Sequence, residues 1–134
     1  MPSRIGLDLQ AAEWIAKSRD DELNAASILR HRDGAPSGVC FLAQQMSEKL
    51  LKAFLVQERG SYPKIHSLPK LTELCIVIND NFKKLEEDVV FLDVFYNPSR
   101  YPVAFCNFSW REAEKAMAAA NNIKEFILEK IKLS

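Results

Sequence analysis

Apolar residues return along this chain at intervals of three and four, the spacing of amphipathic helices rather than the alternation of half-buried strands. Between Asp8 and about Arg32 there is no glycine or proline, and Trp14, Ile15, Ala25, Ala26, Ile28 and Leu29 recur among charges, predicting a long first helix over 8–32. In Asp33-Gly34-Ala35-Pro36 the glycine suits a left-handed stop and the proline the first turn of a following helix, so a tight helix–helix turn is expected. From 37 to 58, Val39, Leu42, Met46, Leu50 and Ala53 keep the spacing, with Ala43 and Phe54 widening the stripe, and this is the strongest helical pattern in the chain.

Arg59-Gly60-Ser61-Tyr62-Pro63 breaks that helix, and His66-Ser67-Leu68-Pro69 reads as a loop ending in a serine cap with proline in the next first turn. A shorter third helix is predicted to run to about Ile78. After the turn signal Asn79-Asp80-Asn81, Leu85, Val89, Leu92 and Tyr96 step by four, three and four, predicting a fourth helix, with Val89, Val90 and Val94 keeping strand as the competing assignment. Asn97-Pro98-Ser99-Arg100-Tyr101-Pro102 holds two prolines four apart and is expected to be a loop. Ser109-Trp110-Arg111-Glu112 has the capping-box pattern, and Ala113, Met117, Ala120, Ile123, Ile127 and Ile131 continue almost to the C-terminus. The last helix is therefore predicted over 109–132, about 24 residues and roughly 36 Å long. The expected fold is an all-α, antiparallel up-and-down bundle of about five helices, three long and two short, occupying residues 1–134 as one domain.

Composition agrees with a folded chain: 48% of residues are hydrophobic and 27% charged, far from the balance of a disordered protein. Lys plus Arg and Asp plus Glu both total 18, so no global field favours nucleic acid or an anionic membrane, and a polyanion must be met by a local cluster. The three cysteines, Cys40, Cys75 and Cys106, are widely spaced in apolar surroundings and read as reduced core thiols. With His31 and His66 the only histidines, no zinc-ligand spacing exists, and neither metal nor cofactor is expected. The N-terminal Met-Pro-Ser-Arg-Ile-Gly lacks the apolar core of a signal peptide, and no stretch approaches the ~20 residues that span a bilayer, so a cytoplasmic location is expected.

Three places carry residues suited to chemistry. On the second helix Gln45, Glu48, Lys49 and Lys52 sit at i, i+3, i+4 and i+7 and share a side distinct from the apolar stripe. They read either as a solvated face with a helical ion pair or as half of a site. The segment Tyr96-Asn97-Pro98-Ser99-Arg100-Tyr101-Pro102 concentrates aromatic rings and a guanidinium. Arg100 is suited to clamping phosphate and Tyr96 or Tyr101 to stacking on a base, as a nucleotide or single-stranded RNA requires; the competing reading is a structural loop. His66 carries an imidazole suited to acid, base or phosphate contact, against the plainer role of a structural loop histidine.

Taken together, Ala43-Gln44-Gln45-Met46-Ser47-Glu48-Lys49-Leu50-Leu51-Lys52-Ala53, then His66-Ser67-Leu68, then Tyr96-Asn97-Pro98-Ser99-Arg100-Tyr101-Pro102 resemble, in order and spacing, the successive signatures of the HEPN domain family over residues 8–132. The resemblance implies a symmetric homodimer with a polar cleft near its interface. It also implies a role among metal-independent ribonucleases, toxins of toxin–antitoxin pairs encoded beside a minimal nucleotidyltransferase, or nucleotide-binding modules. Family ribonucleases carry an arginine followed, after four to six residues, by histidine. From Arg100 that spacing reaches Phe105, Cys106 and Asn107, none of which transfers protons as histidine does. Arg59 and His66 satisfy the spacing only across Gly60 and Pro63, in the wrong loop. The resemblance thus points to a nucleotide- or RNA-binding dimer partnered by a nucleotidyltransferase-type protein. A divergent ribonuclease using Arg100 with His66 or Tyr101, and a protein-only assembly module, are the alternatives.

Overall fold

The computed structural model describes residues 7–95 and 108–131. Helix α1 spans Leu9–His31, α2 Pro36–Arg59, α3 Leu68–Ile78, α4 Glu86–Asp93 and α5 Trp110–Ile131, with a 3-10 helix, Asp80–Leu85, leading into α4. Among the described residues there is no strand, so Val89 and Val90 belong to helix; Val94 follows its end. Three long and two short helices match the pattern of apolar residues, and the starts expected at Pro36, Ser67 and Ser109 and the stop at Gly60 are in place.

The Asp8 carboxylate accepts the Gln10 and Ala11 amides at the start of α1, Ser67 Oγ accepts the Lys70 amide at the start of α3, and Ser109 Oγ accepts the Glu112 amide at the start of α5. Pro36 and Pro69 lie in first turns, where the missing N–H is not needed. Gly60 ends α2 with φ 78, the left-handed conformation that glycine adopts without a Cβ penalty.

At the end of α1 the expected glycine stop is replaced. The left-handed residue is Arg32, φ 55, whose amide donates to Ile28 O. That conformation costs a non-glycine residue roughly 1–2 kcal/mol. Here the guanidinium lies 4.7 Å from the Trp110 ring and 3.3 Å from Glu114, so the cap doubles as a tie from α1 to the start of α5. Further along α5, Lys124 bonds Glu22, which sets α5 running opposite to α1.

Helix α2 is the axis of the bundle, packed by α1, α3, α4 and α5. Its burial on nearly all sides follows: from Met46 to Gln57 every residue but Lys49 is buried. Helix α5 packs against it and buries Ala113, Ala116 and Ala120, whose small side chains permit close approach between helices, with Ile123 and Ile127. All six apolar positions predicted for α5 are buried.

The fourth helical segment differs from expectation by opening as 3-10 turns. Asn79 Oδ1 accepts the Asn81 amide, and the three-residue period places Phe82 and Leu85 on one side, both in the core. A hairpin results between α3 and α4, closed by Asp93, whose carboxylate accepts the Leu68 amide at 3.1 Å.

Candidate functional site

The polar side of α2 does not face water. Glu48 and Lys52 side chains are only 7% and 5% exposed, one helical turn apart, and Lys52 Nζ donates to Glu48 Oε2 at 2.8 Å. Two elements cover them. Helix α1 contributes Trp14, and the non-helical segment 60–67 contributes Tyr62; the two rings meet edge to face with centroids 5.0 Å apart. Lys52 Nζ lies 5.4 Å from the Trp14 ring and 5.5 Å from the Tyr62 ring, so the buried ammonium is held by one carboxylate and two aromatic faces.

The same Glu48 oxygen receives His66 from the end of segment 60–67, with Nδ1 at 3.0 Å. The His66 side chain is 54% exposed. One buried carboxylate thus holds a buried cation on its own helix and orients a surface imidazole on another segment. Among the described residues the other oxygen, Glu48 Oε1, is buried without a hydrogen-bond partner, as is Gln44 Nε2 one turn earlier. A polar group buried unpaired costs on the order of 1–3 kcal/mol, so α2 carries unused hydrogen-bonding capacity along this side.

The remaining expected residues divide. Gln45 Nε2 donates to Gln44 Oε1 at 2.6 Å. Lys49 pairs with Asp21 of α1 and serves the α1–α2 interface. The structure therefore brings Glu48, Lys52 and His66 together and sets Gln45 and Lys49 beside them in separate contacts. Arg100, Tyr101 and Tyr96 lie outside the described residues. Trp14 and Tyr62 are additions to the expected site residues. In the sequence Trp14 is only an apolar position and Tyr62 only part of a helix break, because their meeting depends on how segment 60–67 returns over α1.

Burial pushes the thiols of Cys40 and Cys75 up to about 12, with Glu112 adding to the effect at Cys40, so both are protonated at neutral pH and fit the reading as core thiols. Among the described residues no group of three or more His, Cys, Asp or Glu is placed to hold a metal ion, and no helix is long and apolar enough to cross a membrane.

This architecture, a helical bundle with a polar cluster on its second helix, places the protein in a known class. The HEPN domain family model matches residues 11–131, and the chain belongs to the HEPN domain family. TT1696 from Thermus thermophilus superposes with a TM-score of 0.75 at 31% identity, over 90% of this chain and 98% of that one. ST0689, an archaeal HEPN homologue, superposes with a TM-score of 0.73 at 25% identity, over 93% of this chain and 100% of that one. None of the curated proteins compared matches the chain.

Proposed function

We propose that this protein is a nucleotide- or RNA-binding HEPN module that acts as a homodimer beside a nucleotidyltransferase-type protein. The observation that carries the ligand reading is His66, exposed on the surface yet fixed by a buried carboxylate that is itself fixed by Lys52. Anchoring of that kind orients a ring for an incoming group and lowers the entropy lost when a ligand binds. Side-chain chemistry supplies Arg100 as phosphate clamp and Tyr96 and Tyr101 as stacking groups, and family resemblance supplies the paired chain and the nucleotidyltransferase-type partner. Lys52 acts through Glu48, since its ammonium is already engaged.

The test is binding of ATP and of a short single-stranded RNA by the intact protein, followed by calorimetry, with its mass in solution read by light scattering. Arg100→Ala is expected to weaken binding by about 1.5–3 kcal/mol, the range for a lost charge-assisted hydrogen bond, with little change in stability. If the wild-type protein binds neither probe, or Arg100→Ala unfolds it, the ligand reading fails and Arg100 is a structural tie. A monomer at micromolar concentration removes the dimer.

The contact of His66 with Glu48 favours one second reading, a divergent ribonuclease in which the oriented imidazole moves the proton. A single histidine does not supply both base and acid, so RNA incubated with the wild-type protein is expected to be cut no faster than with Arg100→Ala. Cleavage that disappears in His66→Ala while the fold is kept establishes the enzyme reading instead.

A further inference from the structure

We propose that the groove between α3 and α4 is a docking surface for a helix of a partner protein, one presenting an aliphatic side chain with a lysine or arginine about one turn to either side. The groove shares no residue with the Glu48–His66 cluster and stands independently of the ligand reading. Thr72 and Val89, both buried, lie deepest in it; Ile76 and Val90 form its flanks; and Glu73 and Glu86 stand at its rim, one on each helix. Its volume is about 90 Å³. Its walls carry the methyl groups of Thr72, Ile76, Val89 and Val90, so it suits an aliphatic side chain of a partner.

The lining decides the chemistry of the occupant. The Thr72 hydroxyl, the one polar side chain at depth, already donates to Leu68 O, so the groove offers a guest no free donor there. Val90 is 62% exposed and Val77, next to Ile76 in the sequence, 76%, the most exposed large apolar residues described beyond the chain's first ten positions. Isolated exposed valines are ordinary, but here one of them forms the side of a formed hollow.

Charge selects among apolar guests. Among the described residues neither Glu73 nor Glu86 has an ion-pair partner, and Lys70, one turn before Glu73, makes no bridge to it. Glu86, with Glu87 and Asp88, has a local reason to be acidic, because it opens α4 and offsets the helix dipole. Glu73 in the second turn of α3 has none of that kind, and its partner is assigned to the incoming chain. Opposed carboxylates across an apolar slot repel an acidic helix and steer a basic one.

The test follows Ile and Val methyl resonances of the full chain while an alanine-based helical peptide is added, carrying one leucine with a lysine a turn before and after it. Saturable shifts concentrated at Ile76, Val89 and Val90 are expected, as is at least about a tenfold weakening in the Glu73→Lys/Glu86→Lys variant, whose two altered side chains are exposed and outside the core. A peptide with glutamate in place of lysine is expected not to saturate. The proposal is overturned if no shift saturates by about 1 mM, the regime of very weak association. It is equally overturned if both peptides bind alike, if the shifts map elsewhere, or if Val90→Lys changes the mass of the protein in light scattering, which would make a second copy of this chain the occupant.

Discussion

Glu48→Ala is expected to destabilise the protein by about 3–5 kcal/mol, the cost found when one member of a buried ion pair is removed and its partner is left charged in the interior. Lys52 has nowhere to go: its side chain is 5% exposed, and beyond Glu48 its ammonium lies, among the described residues, over the Trp14 and Tyr62 rings, whose faces are worth about 0.5–2 kcal/mol to a cation and do not replace a carboxylate. On a domain whose total stability is about 5–15 kcal/mol, the loss is plain in a urea midpoint. The diagnostic partner is the double variant Glu48→Leu/Lys52→Met. Replacing both charges by apolar groups of similar volume removes two desolvation costs together and is often neutral or stabilising, so much of the lost stability should return. His66 separates structure from function in that variant. With no carboxylate opposite Nδ1, the ring loses that contact even where the fold is restored, and ligand affinity is expected to stay low. A Glu48→Ala cost under about 1 kcal/mol would mean that the pair is effectively solvated, and the case for an anchored histidine would go with it.

That pair also marks where local pattern stops being informative. Helix positions were legible because each apolar stripe and each cap is written in adjacent residues: Ser67 before Pro69, Ser109 before Glu112, and the α5 series from Ala113 to Ile131 all took the places their spacing implied. The fate of Gln45, Glu48, Lys49 and Lys52 was not legible. Their spacing puts them on one side of α2, but whether that side meets water depends on what crosses it. The crossing elements are α1, whose Asp21 lies 28 residues before Lys49, and segment 60–67 beyond the helix end. Within one apparent polar face, Glu48 and Lys52 went into the interior with aromatic cover while Lys49 was taken by Asp21. The Arg32 stop was hidden for a related reason. Glycine is the cheaper left-handed residue and Gly34 stood two positions away, but Arg32 gains the Trp110 ring and Glu114, contacts made across 78 and 82 residues of chain. The roles of Arg100, Tyr101 and Tyr96 rest on side-chain chemistry and family resemblance, with no contact among the described residues behind them, which is why the Arg100→Ala experiment matters more to function than any contact within α2.

Phe82→Ala is expected to cost about 3–5 kcal/mol, as large aromatic truncations in cores do. Phe82 is wholly buried at the turn between α3 and α4. Its ring lies 4.5 Å from Phe54 of α2, tilted by 49°, and 4.9 Å from Phe126 of α5, edge to face at 79°. One side chain therefore joins the central helix, the last helix and the hairpin, and its removal opens a cavity lined on two sides by aromatic rings fixed in their own helices, with little freedom to collapse. Pairs of this geometry add about 0.5–1.5 kcal/mol each beyond area burial. The backbone is arranged around this ring: the 3-10 turns from Asp80 to Leu85 direct Phe82 and Leu85 to the same side, three residues apart, where an α-helix begun at Asn81 would rotate them further from each other. If the ring sets the turn, Phe82→Leu, which keeps an apolar side chain at that place, loses less than Phe82→Ala. Asn79→Ala, which removes only the bond to the Asn81 amide, should then cost about 1 kcal/mol. Denaturant titration of the three variants orders them. A larger loss from Asn79→Ala than from Phe82→Ala would reverse the causality and make the cap, not the buried ring, the reason that the chain turns tightly there.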